Sequence, residues 1–110
     1  MQLRDLLTEA RLFGALLFEP DALGWCDSTE PDDFSNLHLR FAFWAMRNIE
    51  ARGEAVDFAA VSSELARTGY AQIDLDHVAE TSLEPAYNFQ SLVEIDARWL
   101  RRLARRRANV

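Results

Sequence analysis

Few groups in this chain can move protons, hold metals or attack carbon, and they are scattered. A helical metal face needs two histidines three or four residues apart. His38 and His77 have no such neighbour, so each reads as a structural or surface residue. Carboxylate pairs fit for acid–base work occur at Asp32-Asp33 and at Asp74 with Asp76. Both stand where a helix should start, and capping and the helix dipole account for them more simply. Cys26 is the only cysteine, which excludes an internal disulfide and leaves a buried or half-buried thiol. With four glycines and no Gly-Lys-Ser or Gly-Lys-Thr, the chain carries no phosphate-cradling loop. No ATP hydrolysis, cofactor or metal is expected of it.

The arginines are the groups whose placement is unusual. Residues 1–97 hold all 18 acids and six arginines, a balance of −12, whereas residues 98–110 hold six arginines and no acid, a balance of +6. An acidic body therefore ends in a basic tail. Within the tail Arg98, Arg101, Arg102, Arg105 and Arg106 flank an apolar stripe of Phe89, Leu92, Val93, Trp99, Leu100 and Leu103 at helical spacing. Cations at a helix C-terminus complement its dipole, and that explains two or three of them. Pairing with the acidic body of the same or a neighbouring chain explains more. Phosphate contact with nucleic acid is the third reading, weakened by the repulsion of the body and expected to be salt-sensitive. Apolar residues beside the charges favour contact with protein.

The elements that position these groups are all helical. The stretch from Leu37 to Phe58 is the centre: at about 100° per residue Leu39, Ala42, Phe43, Ala45, Met46 and Ile49 fall on one wide apolar face. Arg40, Arg47 and Ala51 take the far side with Leu37, Phe41 and Trp44 beside them, so something else has to cover Trp44. Gly53 stops this helix and Asp57 caps the next, whose Phe58, Val61 and Leu65 share a face and which Gly69 ends. Upstream, Thr8 is the expected N-cap of a helix reaching Phe18, with Gly14 permitting a close approach, and Pro20 and Pro31 each open a short helical turn, the second turning Phe34 inward. Downstream, Asp74 caps a short helix with Leu75, Val78 and Ala79 inward. Pro85 then starts a helix to about Ala108, roughly 35 Å and longer than so small a body is wide, so part of it should project or need a partner. No stretch alternates with period two long enough for a strand. One hundred and ten residues, 49% hydrophobic and 27% charged, make one domain. The absence of a long apolar run or a basic-then-apolar start predicts no membrane span and a cytoplasmic location.

In order along the chain, these residues resemble the N-terminal domain of the bacterial replicative DNA helicase of the DnaB type. Glu9-Ala10-Arg11-Leu12-Phe13-Gly14-Ala15-Leu16-Leu17 is similar to that domain's EAEQSVLGALL, and Pro31-Asp32-Asp33-Phe34 to its SPEDF turn. Arg40, Phe43, Ala45-Met46, Arg52-Gly53-Glu54 and Val56-Asp57 fall at the spacing of its R..F.AM.....RGEPVD segment. Glu64-Leu65, Gly69, Pro85, Asn88 and Leu100-Arg101-Arg102-Leu103 follow in the same order. The likeness runs from about residue 8 to 107, and its specificity lies in the ordered set rather than in any one piece. The chain departs from the pattern at Leu39, where the family usually has His, at Ala55, where Pro is common, and around Gln72-Ile73-Asp74, where a Gly-Gly is missing.

The resemblance implies a compact, all-α, multi-helix orthogonal bundle with a long C-terminal helix. Residues 1–84 would form the head, and residues 85–110 the first arm of a helical hairpin that packs on a neighbouring subunit. It implies a non-catalytic scaffold that associates with itself, as a dimer or larger, and docks primase or a helicase loader. Phe89, Val93, Trp99, Leu100 and Leu103 are the expected contact residues, with Trp44 and Phe41 as a second patch. The second arm and the ATPase domain of such a helicase lie outside these 110 residues. Two other functions stay open: a free-standing phage or plasmid protein that redirects host helicase or primase, and a small nucleic-acid-binding regulator using the arginine helix.

Overall fold

The structure is a computed structural model that describes residues 4–74 and 89–109. The described residues form four α-helices, α1 (Leu6–Phe18), α2 (Leu37–Ala51), α3 (Phe58–Arg67) and α4 (Phe89–Ala108), with two 3₁₀ segments, Pro20–Cys26 and Pro31–Asp33, between α1 and α2. The described residues contain no strand. The short helix expected after Asp74, with Leu75, Val78 and Ala79, lies outside them, as do His77, Asp76 and the start of the last helix at Pro85.

Helix α2 forms the centre as its periodicity predicts: Leu39, Ala42, Phe43, Ala45, Met46 and Ile49 are all buried. Asn36 caps it by accepting from the Leu39 N–H. Its far end closes on Gly53, at φ +75°, with the Glu54 N–H reaching Ile49 O and the Gly53 N–H reaching Glu50 O. That pair of bonds satisfies carbonyls the helix would otherwise leave open. The same closure ends α3, where Gly69 stands at φ +91° and the Tyr70 N–H bonds Leu65 O. Asp57 caps α3 as expected, and Val61 and Leu65 turn inward. Phe58, the first residue of that helix, is 41% exposed instead.

At the N-terminus the cap is Asp5, not Thr8. The Asp5 carboxylate accepts from both the backbone N–H and the hydroxyl of Thr8, so Thr8 becomes a buried third residue of the helix. Asp outranks Thr at this position because an ionised oxygen holds the open N–H groups better. Phe34, carried inward by the Pro31 turn, is fully buried and meets Phe13 edge-on and Phe43 at a tilt, with ring centroids 6.1 and 5.2 Å apart. Glu9 is also fully buried; its two oxygens accept from the Ser35 hydroxyl and the Asn36 N–H, locking α1 to the start of α2.

Helix α4 does not project. At about 30 Å it lies within a body whose longest dimension is 38 Å, packed on α1 and both 3₁₀ segments. Val93, Ala97 and Leu100 join the same core cluster as α1 and α2.

Candidate interaction surface

Two surfaces meet the criterion of apolar side chains left in water: the seam between α1 and α4, and the outer face of α2. The seam is antiparallel, since Trp99 meets Asp5 while Asp96 meets Arg11. The Trp99 indole N–H donates to Asp5 Oδ2 at 3.0 Å, and the Arg11 guanidinium donates to both oxygens of buried Asp96 at 2.8 Å. Burial alone would raise the Asp5 carboxyl, but the Thr8 and Trp99 hydrogen bonds and the Arg11 charge together lower it.

This packing corrects the sequence expectation about the last helix. Val93, Leu100 and Leu103, expected to be offered to a neighbour, are 0–1% exposed. The reason is periodicity: these positions fall on one face together with Ala97, and α1 with the 3₁₀ segments covers that face. Trp99 is half-buried at the edge of the seam, and nothing is described of the Phe89 side chain. Solvent sees a different set. Leu7 is 65%, Phe18 74%, Leu6 51% and Ile95 54% exposed. Leu7 stands four residues before Arg11 and Phe18 seven after it, so they share its side of α1. Ile95 stands one turn before Trp99, so the outer lip of the seam is apolar on both helices.

The arginine tail is divided. Arg101 reaches the carboxylates of Glu30 and Asp33, at 3.5 Å each, and the Ser28 carbonyl, while Arg107 donates to the carbonyls of Asp32 and Asp33. These two clamp the end of α4 to the Pro31 turn. Asp33 is buried, which pushes its carboxyl up even though the Glu30 N–H and Arg101 pull the other way. Its carboxylate accepts from the Glu30 N–H in a capping box, so Asp33 has a structural role. Arg102 stacks over Trp99 at 6.0 Å. Arg98, Arg105 and Arg106 are exposed and have no ion pair among the described residues.

On α2, Phe41 and Trp44 are half-buried, and the cover that the sequence demanded for Trp44 is Tyr70. The Tyr70 ring lies 4.5 Å from Phe41 and, edge-on, 5.4 Å from Trp44. Nothing in the local pattern singled out Tyr70; the signal was its place directly after the helix-ending Gly69, where an apolar residue folds back on the helix. Leu7 and Phe18 could have been found from α1, which is apolar nearly all round. His38 accepts from the Asp74 N–H through Nδ1 at 3.0 Å, a structural role.

Elsewhere the titratable groups are engaged in holding the fold. Glu64, 3% exposed, accepts from Arg52, Arg67 and Asn48. Its carboxyl is pulled down to about 2, chiefly by the Arg52 bond and then by Arg67. Burial pushes the Cys26 thiol up, away from nucleophilic use. No group of three or more metal-ligating side chains occurs among the described residues, and no described helix is long and apolar enough to cross a membrane.

The sequence model of the DnaB-like helicase N terminal domain matches residues 1–95. The fold is similar to the crystal structure of the N-terminal domain of DnaB helicase from Mycobacterium tuberculosis, at 23% identity and a TM-score of 0.79, over 97% of this chain and 77% of that one. No curated protein matches significantly.

Proposed function

The chain belongs to the DnaB-like helicase N-terminal domain family, and from that premise we propose that it serves as the non-catalytic head of a replicative helicase, associating with itself and docking primase or a helicase loader. The observation that carries this reading is the apolar lip of the α1–α4 seam. Leu7, Phe18 and Ile95 each leave more than half of their surface in water, along the outer side of the two paired helices. Apolar exposure of that kind marks contact surfaces. Trp99 and the cation of Arg102 stacked on it supply the aromatic and arginine groups that dominate such interfaces.

In this reading α4 is the first arm of a hairpin and the seam is where a second copy packs, with Ile95 and Leu7 at its centre. Val93, Leu100 and Leu103 support the surface from beneath. The head couples unwinding to priming by position, without bond-making of its own. Light scattering on the 110-residue chain tests it: dimers or larger species are expected, shifted to monomer by Ile95→Glu or Leu7→Glu without loss of helicity. A parent chain that stays monomeric at concentrations of about 100 μM would overturn it.

A further inference from the structure

On the outer face of α2, Pro31, Asp32, Arg40, Phe41, Trp44 and Tyr70 line an open groove of about 330 Å³. Three half-buried rings, Phe41, Trp44 and Tyr70, are among its lining. We propose that this groove holds an extended, proline-rich segment with a basic residue beside its prolines, carried by a protein partner of the helicase head. The proposal rests on reading the chain as a docking module and names the chemistry that one of its docking sites selects.

Two observations choose this occupant. The first is hydrogen bonding: among the described residues neither the Trp44 indole N–H nor the Tyr70 hydroxyl has a partner, and neither is sealed from water. Donors of this kind, set between rings, match a polyproline II backbone, whose carbonyls carry no internal hydrogen bonds, and whose proline rings lie flat on aromatic faces. A bound helix would present carbonyls already used within itself and leave both donors without acceptors. The second is charge. Asp32 lines the groove with its side chain 88% exposed, 4.0 Å from the Arg40 guanidinium. It belongs to a body of residues 1–97 whose balance is −12. A cation on the peptide meets that field, whereas an acidic segment is repelled.

The test uses the whole ¹⁵N-labelled chain and a synthetic decapeptide alternating leucine and proline with two arginines at one end. The three indole N–H signals, from Trp25, Trp44 and Trp99, make the site readable. Saturable movement of the Trp44 signal with Trp25 and Trp99 unmoved is expected. Affinity should fall about tenfold or more in Trp44→Ala and about two- to fivefold in Asp32→Arg. Tyr70→Phe, which removes only the hydroxyl, should weaken binding at unchanged thermal stability and so guards against a folding artefact.

The proposal is overturned if Trp44 does not respond, if a control peptide with glycine for proline binds as well, or if an amphipathic helical peptide binds Trp44 more tightly. Capture of purified primase or loader by the Trp44→Ala chain at parental strength, with the peptide silent, overturns the groove while leaving the docking module standing. Failure of the parental chain to capture either one strikes the docking reading itself.

Discussion

The Trp99 indole donates its N–H to the same Asp5 carboxylate that caps α1, so one side chain at the chain's beginning fixes both the first helix and the orientation of the last. Removing it costs both. Asp5→Ala is expected to destabilise the fold by about 1 kcal/mol through the lost cap. A double-mutant cycle with Trp99→Phe should show a coupling of about 0.5–1.5 kcal/mol for the bond between them. Thermal unfolding reads this as a fall of about 4–8 °C per kcal/mol; additive effects would mean that the bond does not act in solution.

The depth of α4 in the core is tested by truncation. Leu100→Ala should cost about 2–5 kcal/mol, the range for opening a cavity where a fully buried leucine stood. Ile95→Ala, one turn and a half earlier on the outer side, should change stability by about 0.5 kcal/mol or less. Equal effects in urea unfolding would place α4 outside the core.

Acid should unfold the chain partly through Glu64. Its carboxyl is ionised down to about pH 2 in the fold and to about 4.3 when unfolded. Its contribution is therefore complete above about pH 4.3 and lost as pH falls toward 2. Asp33 acts with opposite sign: raised by burial, it favours the fold at low pH and less so as pH rises through its shifted value. Urea midpoints measured from pH 7 to 2.5 should thus fall less steeply in Glu64→Gln and more steeply in Asp33→Asn than in the parent chain.

Gly53 stands at φ +75°, and Gly53→Ala is expected to cost about 1–2 kcal/mol although a Cβ there meets no atom within 4 Å. The strain is in the backbone, so Gly24→Ala, at a glycine with equal room and no positive φ, should be tolerated. Matching unfolding midpoints for the two variants would refute the distinction.

The two kinds of tail arginine should separate in a salt-dependent assay. Arg101→Ala breaks contacts to Glu30, Asp33 and Ser28 and should lower thermal stability. The double substitution Arg105→Ala with Arg106→Ala should leave stability unchanged. If the exposed pair contacts nucleic acid, that variant alone should weaken binding and flatten its salt slope.

Periodicity made the central helix legible to the residue, because α2 packs on one broad face and each of its six apolar positions does one thing. Glycine ends and the Asp57 cap were equally readable, being local. The last helix was misjudged for a reason that is not local: its stripe identifies Val93, Leu100 and Leu103 as apolar but not which body covers them, and the answer lies in α1, some ninety residues earlier. The ties through Glu9 to Ser35, Arg11 to Asp96 and Asp5 to Trp99 join positions 26 to 94 residues apart, and single-sequence spacing carries no sign of them. Tyr70 over Trp44 was half visible: the need for a cover was evident, its identity was not.

Because the core needs Val93 and Leu100 beside Leu12, Phe13 and Leu16, this head cannot finish folding until those late residues have left the exit tunnel. At about 5–20 residues per second, the greasy side of the first helix waits roughly 5–20 s on the ribosome before its lid emerges. Stalled chains that end before Val93 should therefore be protease-sensitive and bound by chaperones. Chains extended far enough past Leu103 to clear the exit tunnel should resist digestion.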